Sequence, residues 1–343
     1  MNTSKVEQAE RIFTVRVDVL GPDVQCHELY PGRPPLFIEP KGSTLLDRAS
    51  FQQWSDAVRP VLDNLITQYG GIVLRGFAVK QTADFSSFIA AYPEFQGGYA
   101  GGRAPRAAIS ARVMEATRLA AEIKLGLHSE MAYRRDYPKR IAFFSCQTAA
   151  VGGETVIGDV RNLVDNMAPE LVAKIERMGT RTAMNFAPKS TADCASYEHM
   201  DQRGWNLSFE TESCAQVEAI CAQRGLEPIW NEDGGLTVLT SLDAFVVHPH
   251  TRKKLYRSIV HGRQVVDPAF EFLKSQKYPS GTTLGNGECL EPAEIDQIYK
   301  LLDQVTYSWP WRNGDVMILD NLQVWHGRNP YKGARDVQVA LLD

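Results

Sequence analysis

Seven histidines, at 27, 128, 199, 248, 250, 261 and 326, bound the metal and acid–base chemistry open to this chain. Two of them head an H-x-[DE] triplet: "HSE", with His128 and Glu130, and "HMD", with His199 and Asp201. On an extended strand residues i and i+2 share a face, so either triplet can present an imidazole and a carboxylate to one ion. A further histidine from far along the chain would complete a set of two imidazoles and one carboxylate. Such a set holds Fe(II) and leaves positions open for a cosubstrate and dioxygen. A lone H-x-E also arises by chance on ordinary surfaces, so context must separate the two triplets. His128 follows Leu125 and Leu127, and a strand and a glycine turn come soon after it. His199 sits in "ADCASYEHMDQRG", a polar, small-residue stretch without strand character. The contrast favours His128 and Glu130.

The segment "GDVMILDNLQVWHGRNPYKGARDVQVAL" offers the third ligand, His326, after an apolar strand and an Asp-Asn turn. Nine residues on, Arg335 opens the last strand, where a guanidinium suits two-point capture of a carboxylate. The plainer description of these residues has Arg328 and Arg335 as solvated loop charges and His326 packed under Trp325. Upstream, "GGRAPRAAISAR" places Arg103, Arg106 and Arg112 in a glycine-rich stretch before the metal triplet. One of them can reach a substrate carboxylate or a carrier-linked phosphate at a cavity mouth; otherwise they form a solvated basic loop.

The elements around these residues are mostly short strands. "GGIVLRGF", "RIAFFSCQ", "GGETVIGD", "RTAMNF", "GGLTVLTSL", "TYSWPW", "GDVMILDN" and "RDVQVALLD" carry the β-branched and aromatic signature of strands bounded by turns. Helical periodicity is expected over 51–69, within "TADFSSFIAAYP", and over 161–177, 212–224 and 292–303. Strands without a regular strand–helix repeat argue against a doubly wound parallel sheet. They predict a mainly β fold with flanking helices, built on an antiparallel barrel or jelly roll. Residues 1 to about 49 read as an irregular arm, and no linker divides the chain, so a single domain over 1–343 is expected.

Composition narrows the function. The 343 residues are 44% hydrophobic and 23% charged, with a net charge of -4, the balance of an ordinary soluble protein. Nothing in that charge suits nucleic acid or an anionic membrane. The polar start "MNTSKVEQAERIF", the lack of a long apolar run and six cysteines without CxxC spacing predict a cytoplasmic protein with reduced thiols.

The segments "LHSEMAY", "FFSCQTAAVGGETVIGD" and "GDVMILDNLQVWHGRNPYKGARDVQVAL" resemble the TauD/TfdA family of Fe(II)- and 2-oxoglutarate-dependent dioxygenases, most of all its syringomycin-type amino-acid β-hydroxylases. The resemblance runs from about Gly71 to the C-terminus and implies a double-stranded β-helix core of cupin-like type. It implies that His128, Glu130 and His326 hold Fe(II), and that Thr155 and Arg335 hold the distal carboxylate of 2-oxoglutarate, with no catalytic residue beyond the metal ligands. It further implies hydroxylation of an unactivated C–H bond by O2, on a small amino-acid-derived substrate that is free or bound to a carrier protein, in natural-product biosynthesis. Desaturation or cyclisation on the same iron is the alternative outcome. The His-Pro turn "VVHPHTRKK" implies a structural role for His248 and His250, and a segment at about 187–235 containing His199 would be an insertion. Ser129 and "LYRSIVHGR" depart from the family's pattern at positions expected to line the substrate cavity. From the residues alone, a Zn or Mn hydrolase or isomerase on a similar barrel, or a barrel kept only for binding, stays open.

Overall fold

In the computed structural model, which describes residues 13–98, 101–102, 107–117, 119–190, 203–262 and 281–343, the chain opens with β1 (Phe13–Val15), β2 (Val24–Glu28) and β3 (Leu36–Pro40). Helices α1 (Arg48–Ala57) and α2 (Arg59–Tyr69) lead to β4 (Gly71–Leu74), then α3 (Thr82–Ile89) and β5 (Met114–Glu115). β6 (Leu125–His128), β7 (Arg140–Gln147), β8 (Val151–Gly152) and β9 (Thr155–Asp159) follow. Next come α4 (Leu163–Asn166), α5 (Pro169–Met178), β10 (Thr180–Phe186), α6 (Trp205–Phe209), α7 (Cys214–Arg224), β11 (Glu227–Trp230) and β12 (Leu236–Leu242). After them lie β13 (Phe245–Val247), β14 (Lys254–Tyr256), β15 (Gly281–Leu284) and α8 (Pro292–Val305). The chain ends through β16 (Thr306–Tyr307), β17 (Val316–Asp320), β18 (Val324–Arg328), β19 (Tyr331–Lys332) and β20 (Asp336–Leu342).

An eight-stranded sheet, ordered β1-β2-β3-β4-β17-β7-β20-β5, and a four-stranded sheet, β16-β9-β18-β6, form a jelly roll. Period-two patterning decides which way each side chain points. Ile141, Phe143, Met317, Leu319, Val339 and Leu341 face inward, where they share one core with Ile157 and Val324 of the smaller sheet. Their neighbours Ala142, Phe144, Val316, Ile318, Ala340 and Leu342 face outward, onto Phe51, Leu62, Ile66, Phe85 and Phe88 of α1, α2 and α3. The smaller sheet turns Trp325 outward, against Leu171 and Ile175 of α5 and Ile298 and Leu302 of α8. β10 and β12 pair along their whole length, from Thr180↔Leu242 to Phe186↔Leu236, so the segment between Phe186 and Leu236 leaves and returns at one point of the fold.

Three expectations change. From Phe13 on, the N-terminal stretch is not an irregular arm: β2 and β3 are paired strands of the large sheet, and β3 runs parallel to β4. Prolines at 31, 34 and 35 mask the signal, but they lie in the connection, where a missing N–H costs no ladder bond. The helix expected over 51–69 is two, since Pro60 has no amide to continue α1 and instead fits the first turn of α2. "TYSWPW" forms a strand only at Thr306–Tyr307, before Pro310.

Candidate active site

β18 occupies the middle of the site, paired with β6 on one side and β9 on the other. Its His326 lies opposite His128, with ring centroids 4.4 Å apart. Thr155 lies opposite Arg328. The register shifts between His326 and Arg328, and Gly327 makes the shift possible. A Cβ at Gly327 would stand 2.5 Å from the Leu125 carbonyl oxygen, so any other residue would push β6 away from β18.

Glu130 reaches the site differently from the sequence argument. β6 ends at His128, and Ser129 and Glu130 lie past the strand end, before Met131 turns left-handed at φ 57°. The i and i+2 geometry of a strand therefore does not place the carboxylate; the turn does. His128, Glu130 and His326 each bring one ligand atom within 4.8 Å of the others. Glu130 and His326 are buried, and His128 is half-buried. Glu130 Oε2 stands 3.7 Å from His326 Nε2, beyond hydrogen-bond range but suited to two donors on one cation. The Nδ1 of His128 lies 3.0 Å from the Gly126 carbonyl, which favours the proton there and the lone pair on Nε2. His326 Nδ1 is buried with no hydrogen-bond partner among the described residues. Two imidazoles and a carboxylate, neutral donors balanced by one charge, fit Fe(II).

A cavity beside this triad is lined by Phe143, Thr155, Arg328, Arg335 and Val337 as well as by His128 and His326. The two arginines do different work. Arg328 is buried, with Nη1 donating to the Leu119 carbonyl (2.8 Å) and Nη2 to those of Ala120 (2.6 Å) and Ile123 (2.7 Å). It braces the segment that walls the cavity and is neither solvated nor on a loop. Arg335 commits its Nε to the Gly153 carbonyl at 2.9 Å. Gly153 has φ 77°, which a side chain would strain, and a Cβ there would sit tight against Arg335 Cδ and Tyr331 Cβ, each at 3.0 Å. Burial first, then the Arg328 charge, pushes Arg335 down to about 10. A carboxylate entering the cavity would relieve both. Thr155 accepts a hydrogen bond from Trp311 Nε1 at 3.1 Å, so its own hydroxyl proton is left to donate elsewhere.

The remaining candidates lie apart. Arg112 is not among the residues lining the cavity: it donates to the Tyr92 carbonyl (2.7 Å) and pairs with Glu94 (3.7 Å), which sit beside it after α3. Arg103, Arg106 and His199 lie outside the described residues. His248 Nε2 is 2.9 Å from Asp320 Oδ2, and its Nδ1 accepts from the amides of His250 (3.2 Å) and Thr251 (3.1 Å), so it holds turns together. Ser129 does not face a substrate cavity; it is buried and donates to the Asn321 carbonyl at 2.9 Å. In "LYRSIVHGR", Arg257 is buried and donates to the carbonyls of Met131 (2.7 Å) and Arg134 (2.8 Å), behind the metal triplet. His326 and Trp325 point to opposite faces of β18, as alternation requires, so the tryptophan does not cover the histidine. Reasoning from sequence missed Trp311 and Asn321, although "WPWRNGD" and "LDN" frame the strand before His326.

A jelly roll with a His–Glu–His cluster inside it and an arginine–threonine cradle beside the cluster has the construction of a non-haem iron oxygenase. The chain belongs to the TauD/TfdA dioxygenase family ("Taurine catabolism dioxygenase TauD, TfdA family"), which it matches over residues 34–341. It is 27% identical over 289 residues to the dapdiamide synthesis protein DdaC of Enterobacter agglomerans, covering 82% of this chain and 84% of that one. It is also 27% identical over 322 residues to a clavaminate synthase-like protein of Arabidopsis thaliana, covering 91% and 94%. Among solved structures, PvcB of Pseudomonas aeruginosa shares the fold, with a TM-score of 0.51 at 14% identity over 100% of this chain and 94% of that one. The chain is therefore an Fe(II)- and 2-oxoglutarate-dependent dioxygenase, which settles the choice against a hydrolase, an isomerase or an idle barrel. Among the described residues no helix is long and apolar enough to cross a membrane.

Proposed function

We propose that this dioxygenase hydroxylates an unactivated C–H bond of an amino acid or amino-acid-derived small molecule, free or held on a carrier protein, in cytoplasmic natural-product biosynthesis. His128, Glu130 and His326 are the Fe(II) ligands in this reading, and Arg335 and Thr155 bind the distal carboxylate of 2-oxoglutarate. The observation that carries it is the clustering of the three ligand atoms within 4.8 Å, with His128 and His326 of that cluster lining one cavity together with Arg335 and Thr155. Held by these residues, Fe(II) with 2-oxoglutarate would supply the oxidative chemistry that inserts one oxygen atom of O2 into a C–H bond, with succinate and CO2 as co-products.

The chain's own residues supply position and dryness. Arg335 offers its two terminal nitrogens to the carboxylate, since its Nε is already used on Gly153. Thr155, oriented by Trp311, adds a hydroxyl donor. Phe143, set edge-on to His326 with centroids 5.1 Å apart, and Val337 keep the wall apolar. The amino-acid class is supported by the resemblance to amino-acid β-hydroxylases and by the likeness to DdaC, whose name ties it to dapdiamide synthesis. The test is anaerobic titration with Fe(II) and then 2-oxoglutarate, followed by a screen of free and carrier-linked amino acids for substrate-dependent succinate release. His128→Ala is expected to abolish Fe(II) binding while His199→Ala leaves it intact. The reverse result moves the metal to "HMD", and turnover independent of 2-oxoglutarate rejects the cosubstrate assignment.

A further inference from the structure

Glu130 has a positional problem that His128 and His326 do not share. The two histidines sit on paired strands, whereas Glu130 lies two residues past the end of β6, where no ladder holds its backbone. One side chain fills that role. Asn321 Oδ1 accepts from the Glu130 amide at 2.8 Å, and Asn321 Nδ2 donates to the Glu130 carbonyl at 3.0 Å. The same carboxamide donates to the Pro138 carbonyl at 2.8 Å, and its Oδ1 stands 3.2 Å from Ser129 Oγ, whose one proton it shares with the Asn321 backbone carbonyl. Both backbone groups of Glu130 are thus held as an adjacent strand would hold them, and these bonds are buried.

The other end of this clamp is equally fixed. Asn321 is wholly buried, its amide donates to the Lys139 carbonyl at 3.0 Å, and its carbonyl accepts from Ser129 Oγ at 2.9 Å. The preceding Asp320 carboxylate accepts from the amides of Leu322 (3.0 Å) and Gln323 (3.1 Å), closing the turn that starts β18. His326 follows on that strand. Asn321 therefore joins the segment carrying Glu130 to the segment carrying His326.

We propose that Asn321, with Ser129, is a positioning residue that sets the orientation of the Glu130 carboxylate toward the two histidines. The inference rests on the metal assignment above. Only a carboxamide supplies an acceptor and two donors in one rigid plane, so neither Asp nor Leu at 321 reproduces the clamp. Removing a partner that orients a metal ligand typically weakens metal binding about 10- to 100-fold.

Titration of the metal-free full-length protein with Co(II), read by its visible d–d bands, tests this without turnover. Asn321→Asp keeps the size and the acceptor but loses both donations. It is expected to weaken Co(II) binding about 10- to 100-fold and to shift the bands as Glu130 moves. Arg75→Gln is the control for stability alone, because it breaks the buried pair with Asp315 (2.7 Å) and does not touch Glu130. It should lower the melting temperature with wild-type Co(II) affinity and bands. If Asn321→Asp folds and keeps wild-type affinity and bands, the inference is overturned. If that variant does not fold, Ser129→Ala decides: weaker Co(II) binding at an unchanged melting temperature supports the clamp, and native binding rejects it. A wild-type protein whose Co(II) binding survives His128→Ala overturns the metal assignment and the inference together, a result distinct from failure of the clamp alone.

Discussion

Arg335→Gln separates the cosubstrate from the metal, because the guanidinium lines the cavity without being one of the clustered ligand groups. In the wild type its Nε is held by the Gly153 carbonyl at 2.9 Å, so the terminal nitrogens are aimed and need little reordering to meet a carboxylate. Truncating one partner of a buried, hydrogen-bonded charge pair costs about 2–5 kcal/mol. The carboxamide introduced by Arg335→Gln can retain one neutral hydrogen bond, and Arg328 still places positive charge nearby, as its effect on Arg335 shows. The lower part of the range is therefore expected, about 2–3 kcal/mol, or roughly 30- to 150-fold weaker 2-oxoglutarate binding. The assay is anaerobic equilibrium binding of 2-oxoglutarate to the Fe(II)-loaded protein, with Fe(II) affinity measured separately and expected to be unchanged. Arg328→Gln is the comparison. Its guanidinium is already used on the carbonyls of Leu119, Ala120 and Ile123, so its loss should lower thermal stability more than cosubstrate affinity. A steeper affinity loss at Arg328 than at Arg335, or an unchanged 2-oxoglutarate midpoint in Arg335→Gln, would overturn the assignment of the carboxylate anchor to Arg335.

Three further outcomes are expected. Thr155→Val removes a hydrogen bond worth about 0.5–1.5 kcal/mol, so 2-oxoglutarate binding should weaken roughly 2- to 10-fold, and the stranded Trp311 Nε1 should add a stability loss visible in thermal melts. Gly327→Ala forces a Cβ against the Leu125 carbonyl, and overpacking of this kind typically costs about 1–3 kcal/mol; separating β6 from β18 should weaken Fe(II) binding, and native affinity would show that the strands can part freely. Burial pushes His261 from 6.5 down to about 4; the unfolded chain takes up its proton first as pH falls, so stability complete above about pH 6.5 is lost toward pH 4, by about 3 kcal/mol at most. Urea denaturation across that range should show the loss, and His261→Phe should flatten it.

The strands that build the interior were legible because both of their faces are covered, which gives continuous apolar runs such as "RIAFFSCQ" and "VMILD". Others were not: β2 and β3 are framed by prolines, and β6 has the pattern of a half-buried strand only four residues long. The three clustered residues could be named because metal chemistry restricts such a set to His and a carboxylate, and an apolar strand precedes the last of them. What fixes them could not be named, since Asn, Ser and Gly are also the ordinary residues of turns. In sequence, "LDN" reads as a turn whether Asn321 faces water or grips both backbone groups of Glu130. "WHGR" does not reveal that its glycine lets a neighbouring strand come close enough to align His128 with His326. The two arginines make the same point about function. Arg328 and Arg335 look alike in sequence, and only their partners distinguish a guanidinium spent on three carbonyls from one that gives its Nε to a single carbonyl and lines the cavity. Residue types therefore identify the chemistry, while its geometry rests on small polar residues whose partners lie far away along the chain.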